Sequence, residues 1–237
     1  MAKNILITGA SSGIGAETAK YLSSMDYTVV LVSRYREKLK MIAMELKGKN
    51  YIFPFDLNEF EQMEDIFLFC RDQGIKLDGL VHCAGMVNNI PVRLNKMNVV
   101  KSIMNINYFA FIELCKHFYN RKYSNDGASI IAMSSLAAIT CRKGSVPYAG
   151  SKGALNTAVN VMSKEFLQRK IRVNTIMPAY VNTSMTSEVN DFTDVISMQP
   201  LCMIEPVYIA YMIEFLLSDK AKYITGAHIP ISAGMEF

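Results

Sequence analysis

The segment Thr8-Gly9-Ala10-Ser11-Ser12-Gly13-Ile14-Gly15 decides how this chain is read. It places three glycines between a short apolar run, Asn4 to Thr8, and a helical pattern with Ala16, Ala19 and Leu22 along one face. Glycine lacks a Cβ, so the backbone there can turn tightly, approach a pyrophosphate and let the helix pack onto the strand it leaves. The helix N-terminus adds free N–H groups and a positive dipole end, which together favour an anion. The spacing differs from G-x-G-x-x-G, so on these residues alone a purely structural strand-to-helix turn stays open.

Outward from this turn, apolar β-branched runs of strand length alternate with amphipathic stretches. Strands are expected at Asn4 to Thr8, Thr28 to Ser33, Tyr51 to Asp56, Gly79 to Cys83, Ser129 to Ser134, Arg172 to Met177 and His228 to Ser232. Helices are expected at Ile14 to Met25, Arg36 to Lys47, Glu59 to Gln73, Met97 to Tyr119, Tyr148 to Gln168 and Pro206 to Leu217. This alternation implies an α/β fold: a Rossmann-type, doubly wound, parallel seven-stranded sheet with helices on both faces. No repeat, low-complexity tract or linker interrupts the series, so a single domain over residues 1–237 is expected.

Composition narrows the classes. The 51% hydrophobic fraction suits strands covered on both faces. A membrane helix needs about 18 consecutive apolar residues, whereas Ile130 to Thr140 is shorter and carries two serines. The N-terminal apolar segment is too short for a secretory signal, so a cytoplasmic location is expected and a membrane partner is not. Cys70, Cys83, Cys115, Cys141 and Cys202 are an odd, scattered set without a CxxC pair and read as small buried hydrophobes. His82, His117 and His228 lack metal-ligand spacing, and no metal is expected. The net charge of +4 comes from 25 basic and 21 acidic side chains that are well mixed, so nucleic acid is not an expected partner.

Chemistry enters at Tyr148. Lys152 follows four residues later, on the same face of the expected helix. A free tyrosine has a pKa of about 10, and a nearby ammonium or the positive ring of an oxidised nicotinamide lowers it by favouring phenolate. Tyr148 is then suited to donate a proton to a ketone being reduced, or to take one from an alcohol. Ser135 lies thirteen residues before Tyr148, at the end of Ile130-Ile131-Ala132-Met133, where a parallel sheet presents its site. A hydroxyl there can bond a substrate carbonyl and stabilise a developing alkoxide.

Taken with the Thr-Gly-x-x-x-Gly-x-Gly turn and Tyr223-Ile224-Thr225-Gly226, the Ser-Tyr-Lys set resembles the short-chain dehydrogenase/reductase family, and within it the β-ketoacyl carrier-protein reductase-like members. The resemblance covers essentially the whole chain. It selects Ser135 over Ser134 and adds Asn107, a position that in the family distorts its helix and holds a water linking the lysine to solvent. Asn105 is the rival in Asn105-Ile106-Asn107-Tyr108. It also implies a cofactor held by Gly9, Ser11, Ser12, Gly13, Ile14 and Gly15 at the turn and by Asp56 and Leu57 after the third strand. Further contacts are implied from Ala84 and Gly85 after the fourth strand, from Pro178, Val181 and Thr183 after the sixth, and from Tyr148 and Lys152.

The second strand ends Leu31-Val32-Ser33-Arg34. A carboxylate at this point would bond the ribose of NAD and repel the 2′-phosphate of NADP; Ser33 and Arg34 instead suit a phosphate. NADP (NADPH) is therefore the expected cofactor, with NAD less favoured. Three departures from the family pattern stand out: His82-Cys83 where many members have two asparagines, Ala179 in place of a glycine, and Ile231-Ser232-Ala233-Gly234 in place of Val-Asp-Gly-Gly. A positive φ at Ala179 would mean a strained turn; the C-terminal change is assigned to packing or subunit contacts.

The expected activity is hydride transfer between NADP(H) and a ketone or secondary alcohol, as in a carbonyl or 3-oxoacyl reductase. A non-catalytic NADP-binding sensor or scaffold on the same fold is the alternative; a nucleotide-sugar epimerase would need a longer C-terminal substrate domain. The polar stretch Asn182 to Pro200 reads as a lid or a surface loop, and Ala137, Cys141, Arg142, Val146, Met185 and Glu188 are candidate pocket residues for a small-molecule or acyl carbonyl substrate. The long helices at Met97 to Tyr119 and Tyr148 to Gln168 resemble the family's dimer face, implying a homodimer or homotetramer.

Overall fold

A computed structural model of the chain describes residues 2–186 and 197–237. Its strands are β1 (Asn4–Thr8), β2 (Thr28–Ser33), β3 (Asn50–Pro54), β4 (Leu77–His82), β5 (Ser124–Met133), β6 (Arg172–Pro178) and β7 (His228–Ile231). They form one seven-stranded sheet in the order β3-β2-β1-β4-β5-β6-β7, parallel at every pairing. The helices are α1 (Gly13–Ser24), α2 (Arg36–Glu45), α3 (Glu64–Asp72), α4 (Met97–Met104), α5 (Ala110–Phe118), α6 (Ala137–Thr140), α7 (Val146–Glu165) and α8 (Pro206–Leu217).

Alternation along each strand divides the core between the two faces. Leu6, Val30, Leu80, Ile130 and Val173 pack with Phe67 of α3, Phe111 of α5 and Leu155 of α7. Ile5, Val29, Val81, Ile131 and Ile176 pack with Leu22 of α1 and Ile213 of α8 on the other face. Every residue of β2 and β6 is buried, which is why those runs lack an exposed polar face. Chain order reverses between β1 and β4, so a crevice opens at their C-terminal ends.

Several boundaries differ from the sequence expectation, three of them with a visible physical reason. β5 begins at Ser124 rather than Ser129, running through Asp126 and Gly127, whose φ is +82, with a register shift against β4 between Leu77 and Gly79. The single helix expected from Met97 to Tyr119 is divided by a π-helical turn, Asn105–Phe109. The helix expected from Tyr148 starts two residues earlier, with Pro147 in its first turn, where the missing N–H carries no penalty. The cysteines are not all buried as expected. Cys70 and Cys115 are buried and Cys83 is half-buried, whereas Cys141 and Cys202 are exposed in left-handed backbone, with φ 48 and 66; Cys141 caps the C-terminus of the short helix α6 and Cys202 lies just ahead of α8, and neither joins a core cluster.

Candidate active site

The glycine turn is shaped first by the protein itself. Gly9 has φ +68, and a Cβ there would lie 2.7 Å from the Ala84 nitrogen. At Gly15 a Cβ would lie 2.4 Å from the Gly9 carbonyl oxygen. Gly9 is thus required for the loops after β1 and β4 to meet, and Gly15 for the turn to close on itself at the start of α1. Gly13 opens α1 after an extended Ser12, and a Cβ on it would approach Thr183 Cγ2 to 3.2 Å, so Thr183 reaches over the turn from the far side.

From this turn runs a single cleft of about 520 Å³. Ser33, Arg34, Asp56 and Leu57 line one end, Gly9, Ser11, Ser12, Gly13, Ile14, Gly15, Ala84 and Gly85 the middle, and Ser135, Tyr148, Lys152, Pro178, Val181 and Thr183 the other end. Of the residues singled out from sequence, Asn107 does not line it, although its neighbour Ile106 does, and of the candidate pocket residues Ala137, Cys141, Arg142 and Val146 do not line it either. Tyr35, Phe55, Cys83, Met86, Val87 and Ala179 also line the cleft and were missed. For Tyr35 a signal existed: the aromatic ring directly follows Arg34, lies 4.9 Å from that guanidinium and 5.1 Å from Lys38 Nζ, and so carries two cations at the open end. Ser33 Oγ accepts from the Tyr35 N–H at 3.2 Å, and Asp56 is held by accepting from Asn58 N at 3.0 Å.

At the other end, the Ser135 hydroxyl interacts with the Tyr148 phenol and accepts from Ala137 N at 3.1 Å. Ser134 is buried and turns instead toward the Lys152 carbonyl, at 3.4 Å. Lys152 is buried, donates from Nζ to the Met133 carbonyl at 2.6 Å and lies 5.8 Å from the Tyr148 ring centroid. Asn107 is fully buried in the π turn, a distortion that recurs at functional sites. Its side chain accepts from Met86 N at 2.7 Å and donates to Met86 O and Ser151 Oγ, both at 2.9 Å. It therefore ties the loop after β4 to α7 one residue from Lys152; Asn105 is not buried.

Burial dominates the electrostatics. It lowers the Lys152 pKa to about 8, with Cys83 acting weakly the other way. It raises Tyr148 above the ordinary phenol value, while Ser135 pulls it down. In the protein alone, burial outweighs the depression of Tyr148 expected from the sequence, with the Lys152 ammonium bonded to Met133 O. His82 is lowered to about 3, by burial first and Lys152 second, and Cys83 is pushed up to about 12 by burial. A neutral imidazole and a neutral thiol therefore replace the family's asparagines. His82 Nδ1 is 2.9 Å from Thr8 Oγ1, which ties β4 to β1, and the Ala84-Gly85 backbone remains on the cleft.

Ala179 does not adopt a positive φ; its N–H donates to Ile231 O at 2.9 Å and extends the β6–β7 pairing without strain. The left-handed conformation falls instead on Ala233, φ 49, whose carbonyl accepts from Leu201 N at 3.0 Å. Of the candidate lid, residues 187–196, Glu188 included, lie outside the described residues; Met185 lines the cleft. Among the described residues no cluster of His, Cys, Asp and Glu could hold a metal, and no helix is long and apolar enough to cross a membrane.

A family model described as enoyl-(acyl carrier protein) reductase matches residues 9–236. The chain is 28% identical over 237 residues to carbonyl reductase family member 4 of Xenopus laevis, covering 100% of this chain and 99% of that protein. It is 30% identical to the 3-oxoacyl-[acyl-carrier-protein] reductase FabG of Rickettsia conorii, covering 98% and 96%. A solved 4-hydroxyisoleucine dehydrogenase complexed with NADH superposes with TM-score 0.91 at 28% identity, covering 98% of each chain. Together with a parallel seven-stranded sheet whose crevice gathers a glycine turn, a serine, a tyrosine and a lysine, these matches show that the chain belongs to the short-chain dehydrogenase/reductase family.

Proposed function

We propose that this chain is an NADP(H)-dependent oxidoreductase that transfers hydride between the nicotinamide and a ketone or secondary alcohol, of the carbonyl reductase or 3-oxoacyl reductase kind. The observation that carries the reading is one cleft with Ser33 and Arg34 at one end and Ser135, Tyr148 and Lys152 at the other. The residues fit a dinucleotide. The glycine turn lines the cleft at the start of α1, where a helix N-terminus suits a pyrophosphate, and Arg34 is exposed with no carboxylate within salt-bridge distance among the described residues. The reading extends to a single domain over residues 1–237, acting in the cytoplasm as a homodimer or homotetramer on a small-molecule or acyl carbonyl substrate.

When bound, the nicotinamide supplies the hydride to the carbonyl carbon or takes it back. Ser135 Oγ–H bonds the carbonyl oxygen and stabilises its growing negative charge. Tyr148 gives its phenolic proton to that oxygen, and its raised pKa keeps the proton in place until the oxygen demands it. The Lys152 ammonium stabilises the resulting phenolate, which is reprotonated from solvent. Asn107 fixes the backbone beside Lys152 rather than touching the reacting atoms.

Two results are expected. Arg34→Ala weakens NADPH binding by about 10- to 100-fold, the scale of a lost charge-assisted hydrogen bond, and leaves NADH within about twofold; calorimetric titration with each nucleotide checks this, and equal weakening of both would sink the NADP assignment. The second concerns pH. Lys152, titrating near 8, is a cation below that value and neutral above it, so kcat/KM for ketone reduction should be flat below pH 8 and fall above it. A rate that rises through that range would show that the neutral amine is the working form.

A further inference from the structure

Arg142 lies between Ser135 and Tyr148, directly after α6 and the left-handed Cys141. Ser145 fixes its backbone, donating to the Arg142 carbonyl from N at 3.2 Å and from Oγ at 2.6 Å. Its half-buried guanidinium meets only soft neutral acceptors among the described residues. Nη1 donates to the Tyr180 hydroxyl, and Cζ sits 5.0 Å from that ring's centroid. Nη2 faces Met198 Sδ at 3.2 Å and Met235 Sδ at 3.5 Å. These side chains belong to a small apolar cluster that includes Leu136, next to Ser135, and Ala179, which lines the cleft.

A guanidinium is permanently charged and presents a planar fork of donors that matches a carboxylate. Thioether sulfurs are weak acceptors, and no carboxylate among the described residues lies within 4.0 Å of this group. A cation half-removed from water against such partners costs desolvation that they return poorly. A role in bracing Tyr180 and Met235 would need no charge, whereas binding an anion would. Methionine side chains are flexible enough to yield the guanidinium's second edge to an incoming pair of oxygens.

We propose that Arg142 is a specificity-determining residue that binds an anionic group of the substrate, so that the substrate is a ketone or alcohol carrying a free carboxylate. This rests on the oxidoreductase reading above and names its substrate class. A carrier-bound or thioester-linked acyl chain has no carboxylate to offer and is the competing class.

The test uses the whole protein with NADPH and short α-, β- and γ-keto acids, each beside its methyl ester, plus the acetoacetyl thioester of N-acetylcysteamine. Binding to the enzyme–NADPH complex is followed by nicotinamide fluorescence and turnover by NADPH oxidation. At least one keto acid should bind tenfold or more tightly than its ester. Arg142→Met should raise the KM of that acid by about 10- to 100-fold with kcat changed less than twofold and the ester unaffected, and Arg142→Lys should recover part of the loss. The proposal is overturned if no keto acid binds the complex, if esters or the thioester bind as tightly, or if Arg142→Met raises acid and ester KM alike. The acid–ester comparison on the unaltered protein stands even if a variant fails to fold. NADPH binding that persists while the acids fail overturns this proposal alone; absent NADPH binding overturns both readings.

Discussion

Tyr148→Phe is expected to lower kcat for ketone reduction by about 10²- to 10⁴-fold, the usual contribution of a placed general acid, while leaving NADPH affinity within about twofold. The change removes one oxygen from a side chain in the first turns of α7 and leaves the ring, its position 5.8 Å from Lys152 and the cleft wall intact. What is lost is the one proton donor that burial keeps protonated beside Ser135. Ser135 cannot substitute, because its own hydroxyl must stay on the carbonyl oxygen. Single-turnover oxidation of bound NADPH separates the chemical step from nucleotide binding. A loss of only a few fold would mean that water or Lys152 supplies the proton.

Gly9→Ala should damage stability and nucleotide binding together. Its φ of +68 costs a side-chain-bearing residue about 1–2 kcal/mol, and the new Cβ would sit 2.7 Å from Ala84 N and 2.8 Å from Cys83 C. Both are backbone atoms directly after β4, whose last residue His82 pairs with Thr8 next to Gly9, so neither yields cheaply. Crowding of this kind adds about 1–3 kcal/mol. At roughly 2–4 °C per kcal/mol for a chain of this size, Tm should fall by roughly 5–20 °C. Gly150→Ala is the control: it lies within α7, where a Cβ would meet nothing within 4 Å, so the added methyl should be neutral or slightly stabilising. Thermal melts of the two variants, with and without NADPH, read the contrast; equal melts would remove the loop-contact argument.

The sheet was legible because a strand covered on both faces has nothing polar to interrupt it, as in Thr28 to Ser33. The cleft was legible because glycines, Ser33-Arg34 and the Ser-Tyr-Lys spacing each sit at the end of such a strand or the start of the next helix. Features set by tertiary contact were hidden. The π turn at Asn105–Phe109 was signalled only by the resemblance, which implies a helix distortion at Asn107; its hold comes from the bonds of Asn107 to Met86 and Ser151, 21 and 44 residues away. Likewise, the strand character of Ser124 to Ala128 comes from pairing with β4 against a polar, turn-like sequence. The direction of the Tyr148 shift was misjudged for the same reason: its sequence neighbour Lys152 is turned to Met133, and burial, invisible in a spacing, decides the value.

A deuterium label tests the hydride transfer most directly. The protein is incubated with NADPH deuterated at nicotinamide C4 and the keto acid, ester and thioester panel, and the products are weighed by mass spectrometry. One deuterium is expected at the carbinol carbon of a reduced product, and none detectable over the same period with Tyr148→Phe. Tight NADPH binding with all deuterium retained in the nucleotide across the panel would contradict the transfer.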